Sequence, residues 1–217
     1  MKKIVAINTS PRTEWNTGIL VLEAAKGAEA AGAEVQVIDL DKLEKFTGCA
    51  SCFACKLPAN LGKCIYHDGL APVLEAIRNA DGLIIGSPNY LGDCSAGFRA
   101  LYERLIFQYI TYKTEIASYN DRKIPVLLLM TSNVAEEMYD QFGYSQMLQR
   151  YQTTFQNFVG PTKIMISGNT LQVHDYDRYN WTMFDPAAKK ERRETEFPKE
   201  KQQAYTLGAA MCGEAWD

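Results

Sequence analysis

The sequence predicts an α/β fold in which helices cover both faces of a doubly wound parallel sheet. Short apolar runs alternate along the 217-residue chain with longer segments of helical periodicity. Each of five apolar runs is followed by such a segment, which is the order that parallel strands joined by helical crossovers produce. Polar loops follow the first, third and fourth runs. In such a sheet these loops lie at the carboxyl ends of the strands, where ligands bind.

The strands are predicted from apolar runs bounded by turn residues. The first run ends at the breaker formed by Ser10 and Pro11, and Pro125 is compatible with the fourth strand only near its start. The predicted strands cover residues 3–8, 35–38, 82–85, 124–130 and 163–166, the last being the beginning of its strand.

The helices are predicted from apolar residues at helical spacing and from capping residues. Gly32 ends the first helix, and Asp68 is the expected N-cap of the second, whose apolar stripe includes Val73 and Ile77. The other four helical segments follow the same periodicity. Besides the second helix, the predicted helices cover residues 17–31, 95–109, 138–158 and 198–212.

Length and composition fit one globular domain, residues 1–217, with residues 171–197 as a polar and aromatic surface excursion before the last helix. The net charge of −3 and the pI of about 5.5 argue against nucleic acid or an anionic membrane as partner. No apolar run approaches the roughly 20 residues that span a bilayer, and no signal peptide is recognisable. We therefore expect a cytoplasmic protein whose six cysteines are reduced thiols or metal ligands.

The loop after the first strand has the composition of a phosphate site. Ser10 and Thr17 offer hydroxyls, Asn16 an amide and Arg12 a guanidinium, in a turn that leads into a helix N-terminus. The glycine-rich signatures of triphosphate and dinucleotide sites do not occur, so a monophosphate is the better fit. The alternative is a plain strand-to-helix turn with Asn16 as N-cap.

This loop resembles the phosphate loop of the NADPH-dependent FMN reductase and iron–sulfur flavoprotein superfamily. The shared pattern is Ser10-Pro11-Arg12-x-x-x-Asn16-Thr17, and the chain departs from it at Thr9 and Trp15, where members usually carry glycine. The resemblance implies a flavodoxin-like three-layer α/β/α sandwich whose five-stranded parallel sheet has the order 2-1-3-4-5. It also implies that the Ser, Arg, Asn and Thr surround the phosphate of FMN.

The loop after the third strand strengthens the resemblance. Gly86 allows close backbone approach, Pro88 stiffens the turn, and Tyr90 offers a ring to the face of a planar heterocycle. The stretch matches the family motif G-S-P-x-Y-x-G-x-x-S-A, whose central residues cradle the flavin ring largely through main-chain atoms. The implied ring contacts are Ser87, Pro88, Asn89, Tyr90, Leu91 and Gly92. The polar loop 131–133 is correctly placed to complete the ring site, although family members are often glycine-rich there.

Four cysteines form a compact block, C-x2-C-x2-C-x8-C, at Cys49, Cys52, Cys55 and Cys64. So many thiols at short spacing in a reducing compartment indicate a metal site, either a [4Fe–4S] cluster or zinc. The block resembles the cysteine motif with which iron–sulfur members of the family hold a [4Fe–4S] cluster, usually with a shorter final gap. The alternative is a set of free thiols near the flavin.

The resemblance implies an FMN-binding oxidoreductase that takes hydride from NAD(P)H and passes electrons to a small molecule or protein. The flavin carries that chemistry, so no catalytic acid or base is expected. Similar proteins form homodimers or homotetramers. Two other functions stay open: an electron carrier with FMN and a [4Fe–4S] cluster that does not oxidise NAD(P)H, and a regulatory or scaffold module with an empty pocket.

Overall fold

The computed structural model describes residues 1–213 and 216 and contains twelve helices and strands apart from short 3-10 turns. Apolar residues at helical spacing form the helices, and the apolar runs form the strands. The strands are β1 (Lys3–Asn8), β2 (Glu34–Asp39), β3 (Gly82–Tyr90), β4 (Asp93–Cys94), β5 (Val126–Thr131) and β6 (Thr162–Ser167). The helices are α1 (Asn16–Ala30), α2 (Ala71–Asn79), α3 (Ala96–Tyr109), α4 (Tyr144–Phe158), α5 (Pro186–Thr195) and α6 (Phe197–Ala210).

Five parallel strands form the sheet in the order β2-β1-β3-β5-β6. Because β4 is a two-residue strand that pairs only with β3, the order of the long strands is 2-1-3-4-5, and this prediction is confirmed. The order reverses between β1 and β3. From β1 the chain crosses over to β2 on one side, and from β3 it crosses over to β5 on the other side. The loops that follow β1, β3 and β5 therefore meet at one edge of the sheet.

Alternating side chains divide the core into two layers, as expected for strands covered on both faces. In β1, Ile4 and Ala6 pack with α1 and α6, whereas Val5 and Ile7 face α2, α3 and α4. Helices α1 and α6 pack closely against each other: a Cβ on Gly208 would lie 1.9 Å from the Ala24 carbonyl oxygen. This close contact fixes the middle of α1 relative to α6.

The structure differs from the sequence prediction at several elements. Strand β3 runs on to Tyr90 and turns back through β4, because its polar end pairs as a hairpin. Helix α4 begins at Tyr144, after a 3-10 turn at Glu136–Met138, so the predicted start at 138 is wrong. Within 171–197 the chain forms α5, which Asp185 caps through the Ala187 and Ala188 amides.

Asp68 is not the N-cap of α2. Leu70 holds that position, and Asp68 lies before it, where its side chain accepts hydrogen bonds from the amides of Leu70 and Thr47. The same carboxylate pairs with the buried guanidinium of Arg104. The residue thus ties three segments together. Among the described residues, no helix is both long and apolar enough to cross a bilayer.

Candidate functional site

The loops after β1, β3 and β5 line one cavity of about 100 Å³ at the carboxyl edge of the sheet. Segments that are distant in the sequence are brought together there because parallel strands present all their carboxyl ends at the same edge. Seven of the ten predicted FMN contacts line this cavity: Ser10, Arg12, Asn16, Thr17, Pro88, Asn89 and Tyr90. The other lining residues are Trp15, Thr131, Ser132, Asn133, Thr170 and Gln172.

The first turn of α1 points unpaired amides towards this cavity. Trp15 occupies the N-cap position and makes no side-chain cap, so the alternative in which Asn16 caps the helix is wrong. Among the described residues, the N–H groups of Asn16 and Thr17 have no hydrogen-bond acceptor. Both residues are buried. Buried amides at a helix N-terminus favour an anion because both their dipoles and the helix dipole point at it.

Arg12 and Asn16 are held by the segment that follows β6. Arg12 donates from Nη1 to the Gln172 carbonyl oxygen over 2.8 Å and lies over the ring of Trp15. The Asn16 amide donates to the Leu171 carbonyl oxygen over 2.9 Å. Asn16 therefore offers its main-chain N–H to a ligand rather than its side chain, whereas the guanidinium of Arg12 keeps other N–H groups free.

The β3–β4 hairpin presents an unpaired amide to the same cavity. Asn89 accepts a hydrogen bond from the Gly92 amide at its Oδ1, while its buried Nδ2 has no partner among the described residues. An unpartnered buried donor costs about 1–3 kcal/mol unless a ligand accepts from it. Leu91 and Gly92 form the turn with φ of 55° and 87°, and the side chain of Leu91 projects fully into solvent.

Three predicted contacts of the ring loop lie away from the cavity. Leu91 and Gly92 form the tip of the hairpin, and Ser87 is buried beneath it. The Ser87 hydroxyl donates to the Pro88 carbonyl oxygen and accepts from the Ser95 amide. In this structure the Ser87 side chain thus shapes the strand end rather than facing a ligand.

Three basic side chains lie at or near the cavity, and among the described residues that line it none is acidic. Arg12 lines it, while Lys189 and Arg193 reach its walls from α5. Among the described residues these three cations form no ion pair. Lys189 and Arg193 are not recognisable as site residues in the sequence, because lysine and arginine in a charged stretch usually indicate a solvated helix face.

The four cysteines of the compact block line a second, smaller cavity of about 20 Å³. Its walls are the rings of Phe53 and Phe107 and the polar side chains of Arg104 and Gln108, both of which carry a buried nitrogen without a partner. All six cysteines are free thiols, and burial raises the pKa of Cys55. Among the described residues no three Cys, His, Asp or Glu side chains are grouped closely enough to hold one metal ion.

Parallel strand order, two helical layers and a cavity at the point of strand reversal define a flavodoxin-like protein. The model of the family described as NADPH-dependent FMN reductase matches residues 2–138. This match covers more than half of the chain, and the chain belongs to this family. The resemblance inferred from the two loops is thereby confirmed.

Curated relatives carry the name iron-sulfur flavoprotein. One from Methanocaldococcus jannaschii is 38% identical over 102 residues, which are 47% of this chain and 51% of that protein. One from Methanosarcina thermophila is 30% identical over 104 residues, 48% of this chain and 52% of that protein. The chain spans about half the length of the curated relatives it matches.

Solved structures share the fold over almost the whole chain. An NAD(P)H:quinone oxidoreductase from Methanothermobacter marburgensis superposes with a TM-score of 0.72, 14% identity and coverage of 96% of this chain and 98% of that one. An azoreductase from Bacillus anthracis superposes with a TM-score of 0.65, 12% identity and coverage of 96% and 99%. At such low identity the likeness establishes the fold.

Proposed function

We propose that the protein is an FMN-dependent oxidoreductase that uses NAD(P)H. The observation that carries the proposal is the cavity in which the loop 10–17 and the loop 88–90 face each other. The loop 10–17 contributes the unpaired amides at the start of α1 and the guanidinium of Arg12. The loop 88–90 contributes the unpartnered Asn89 amide and the ring of Tyr90. A terminal phosphate suits the groups of the first loop and a flat heterocycle suits those of the second.

The residues present fit FMN on three grounds. The amides of Asn16 and Thr17 and the side chain of Arg12 would hold the phosphate. Asn89 Nδ2 would donate to an acceptor at the edge of the ring, which removes its unpaired state. When bound, FMN would supply hydride and electron chemistry at its isoalloxazine ring. This chain's own residues then bind, orient and shield the cofactor, and none is required as an acid or base.

We further propose that the electron acceptor is a small molecule or a protein and that the chain works as a homodimer or homotetramer in the cytoplasm. Six unbridged cysteines are typical of a reducing compartment. The names of the solved neighbours, a quinone oxidoreductase and an azoreductase, support a small organic acceptor.

A second candidate is an electron carrier that holds FMN and a [4Fe–4S] cluster and does not oxidise NAD(P)H. The supporting observation is that Cys49, Cys52, Cys55 and Cys64 line one cavity, and relatives are named iron-sulfur flavoproteins. The donor set of four thiols fits such a cluster. It fits a single zinc ion less well, because no three of the thiols are grouped closely enough for one ion.

The visible spectrum of protein purified without air separates these functions. Flavin bands that NADPH or NADH bleaches support the reductase. Flavin bands with a broad brown absorbance, iron and acid-labile sulfide, and no reaction with either nucleotide, support the carrier. A colourless protein that takes up no FMN contradicts both and supports a regulatory or scaffold module.

Cysteine variants test whether the compact cysteine block is the cluster site. Replacing Cys49 or Cys64 with serine abolishes iron and sulfide binding if the block holds a cluster. Cys212→Ser is the matched control, since Cys212 lies beside the Ala28 carbonyl oxygen in the other core layer. Equal iron content in all three variants would exclude the block as the cluster site.

A further inference from the structure

Lys189 is a buried lysine that pairs with no carboxylate among the residues that the structure describes. Only 6% of it is exposed. Its Nζ donates to Asn133 Oδ1 over 2.7 Å and lies 3.2 Å from the Asn133 carbonyl oxygen and 3.4 Å from that of Thr170. Three neutral oxygens thus receive its three N–H groups. Burying a charged ammonium without a carboxylate is costly, so its retention at this site calls for a specific role.

The role follows from the chemistry of the two side chains. An ammonium group can only donate, so the Asn133 amide has to turn its oxygen towards Lys189. Its Nδ2 is then left facing away, and among the described residues it has no acceptor. Asn133 lines the proposed FMN cavity and an adjoining cavity of about 480 Å³ walled by Trp181 and Phe184. A ligand in either cavity therefore lies against Asn133, and Nδ2 is the side-chain atom of Asn133 that Lys189 leaves available to it.

We propose that Lys189 is a positioning residue that fixes Asn133 as a hydrogen-bond donor to an acceptor atom of the bound cofactor. This inference rests on the proposed function, because it takes FMN as the ligand. Arg193, one turn further along α5, similarly donates over 2.6 Å to Asn16 Oδ1, but there the Leu171 carbonyl oxygen accepts from the Asn16 amide. Asn133 is thus the one of these two asparagines whose side-chain donor is free for a ligand.

The orientation of Asn133 depends on the protonation of Lys189. Burial lowers the pKa of Lys189 to about 8, and the positive charge of Arg192 on the same helix acts in the same direction. Arg192 itself pairs with Glu200 of α6. The groups that face Lys189 from the loops after β5 and β6 are the uncharged Asn133 and Thr170, and the ring of Phe184 lies 5.7 Å from Nζ. Above pH 8 the neutral amine can also accept, and the amide is no longer held in one orientation.

The decisive variants are Lys189→Met, which removes the donor, and Lys189→Arg, which keeps it. Lys190→Met is the matched control, since Lys190 is an exposed lysine on the same helix. We expect Lys189→Met to raise the Kd of the apoprotein for FMN about tenfold at pH 7, as the loss of one oriented hydrogen bond does. Lys189→Arg should recover most of the affinity, and Lys190→Met should leave it unchanged.

A second readout needs no cofactor. In the 15N spectrum of the apoprotein, the side-chain NH2 signals of Asn133 should shift with a midpoint near pH 8, and this transition should be lost in Lys189→Met. Because the titration uses the natural chain, it remains decisive if the methionine variant does not fold. An Asn133 signal that stays unchanged while Lys189 loses its proton, or equal FMN affinity in Lys189→Met and Lys190→Met, overturns the inference. Failure of the natural chain to bind FMN contradicts the proposed function, while the Asn133 titration still decides the role of Lys189.

Discussion

The hydroxyl oxygens of Thr17 and Thr131 lie 2.7 Å apart and join the first turn of α1 to the end of β5. Both side chains are buried, and both residues line the proposed FMN cavity. The hydrogen bond therefore joins the loop 10–17 to the loop after β5. It connects positions that are 114 residues apart in the sequence.

Removing either hydroxyl should destabilise the protein. In Thr17→Val or Thr131→Val the remaining hydroxyl is left buried without this partner, at a cost of about 1–3 kcal/mol of unfolding free energy. The double variant should lose less unfolding free energy than the two single variants together, because it leaves no unpaired hydroxyl buried. Urea unfolding of the four proteins measures this coupling. Thr206→Val on the exposed face of α6 is the control, and additive losses would show that the two hydroxyls do not interact.

Arg12 should contribute to FMN affinity through the phosphate. Its guanidinium is exposed, so Arg12→Ala should weaken binding by roughly tenfold, at the lower end of what a charge-assisted hydrogen bond contributes. The difference should shrink in high salt, and riboflavin, which has no phosphate, should bind equally to both proteins. Flavin fluorescence titration measures these constants. Arg150→Ala on α4 is the control, and an equal loss for riboflavin would exclude a phosphate contact.

Leu91 is strained at the hairpin tip, where its φ is 55° and its side chain is fully exposed. Two successive residues with positive φ form the hairpin turn that asparagine followed by glycine prefers. We therefore expect Leu91→Asn to raise the free energy of unfolding by about 0.5–1 kcal/mol, since left-handed backbone disfavours leucine. Gly92→Ala, at φ 87°, should lower it by about 1 kcal/mol. Thermal unfolding measures both changes. A Leu91→Asn protein that is less stable than the natural chain would show that the backbone at Leu91 is not strained.

The buried pair of Asp68 and Arg104 should matter more than exposed ion pairs. Asp68→Asn leaves the guanidinium, which is only 2% exposed, without its counter-charge, at a cost of about 3–5 kcal/mol. The exposed pair of Lys199 and Glu196 provides the control, where Glu196→Gln should cost less than about 1 kcal/mol. Similar losses of unfolding free energy for Asp68→Asn and Glu196→Gln, measured by urea unfolding, would contradict the importance of burial.

The same pair predicts how stability changes in acid. Burial alone would raise the pKa of Asp68, but hydrogen bonds from Arg104 and from the Thr47 and Leu70 amides outweigh it and lower the pKa. Its stabilisation is thus complete above the pKa of the unfolded state, 3.8, and is lost as the pH falls below this value through the folded pKa. The unfolding free energy of the Asp68→Asn protein should therefore fall less steeply in this pH range than that of the natural chain, as urea unfolding at a series of pH values would show.

Thiol reactivity should follow burial. Burial raises the pKa of Cys94 to about 12, whereas Cys52 is exposed. Since the thiolate is the reactive form, iodoacetamide at pH 8 should modify Cys52 in the native protein and Cys94 only after unfolding. Peptide mapping after timed alkylation measures the order, and all six cysteines should react in denaturant. Early modification of Cys94 in the native state would contradict its burial.

Much of the fold could be predicted because its signals are local. Strand β1 was predicted at its observed bounds, since an apolar run closed by Ser10 and Pro11 is enough to specify it. The end of β3 could not be predicted in the same way. The pairing of Asn89 with Cys94 extends that strand, and hairpin pairing of polar residues leaves no apolar pattern.

The site was predicted where loop composition and the position of strand ends agree, as at Arg12 and Asn89. The roles of individual side chains could not be predicted as well from the sequence. Asn16 looks like a ligand or an N-cap in the sequence, yet in the structure Arg193 and the Leu171 carbonyl oxygen occupy its side chain. These partners come from a segment whose polar sequence indicated only a surface excursion.

The sequence by itself determined the strands, the strand order implied by the family motif, and the three loops that carry the site. The strands and the loops depend on hydrophobic periodicity and turn residues, which act between near neighbours in the chain, whereas the strand order was implied by the family resemblance. Only the tertiary structure decided which polar atoms remain free at the site. Lys189 and Arg193 reach Asn133 and Asn16 across 56 and 177 residues, and the choice of partner for such buried donors depends on how α5 packs rather than on any local preference.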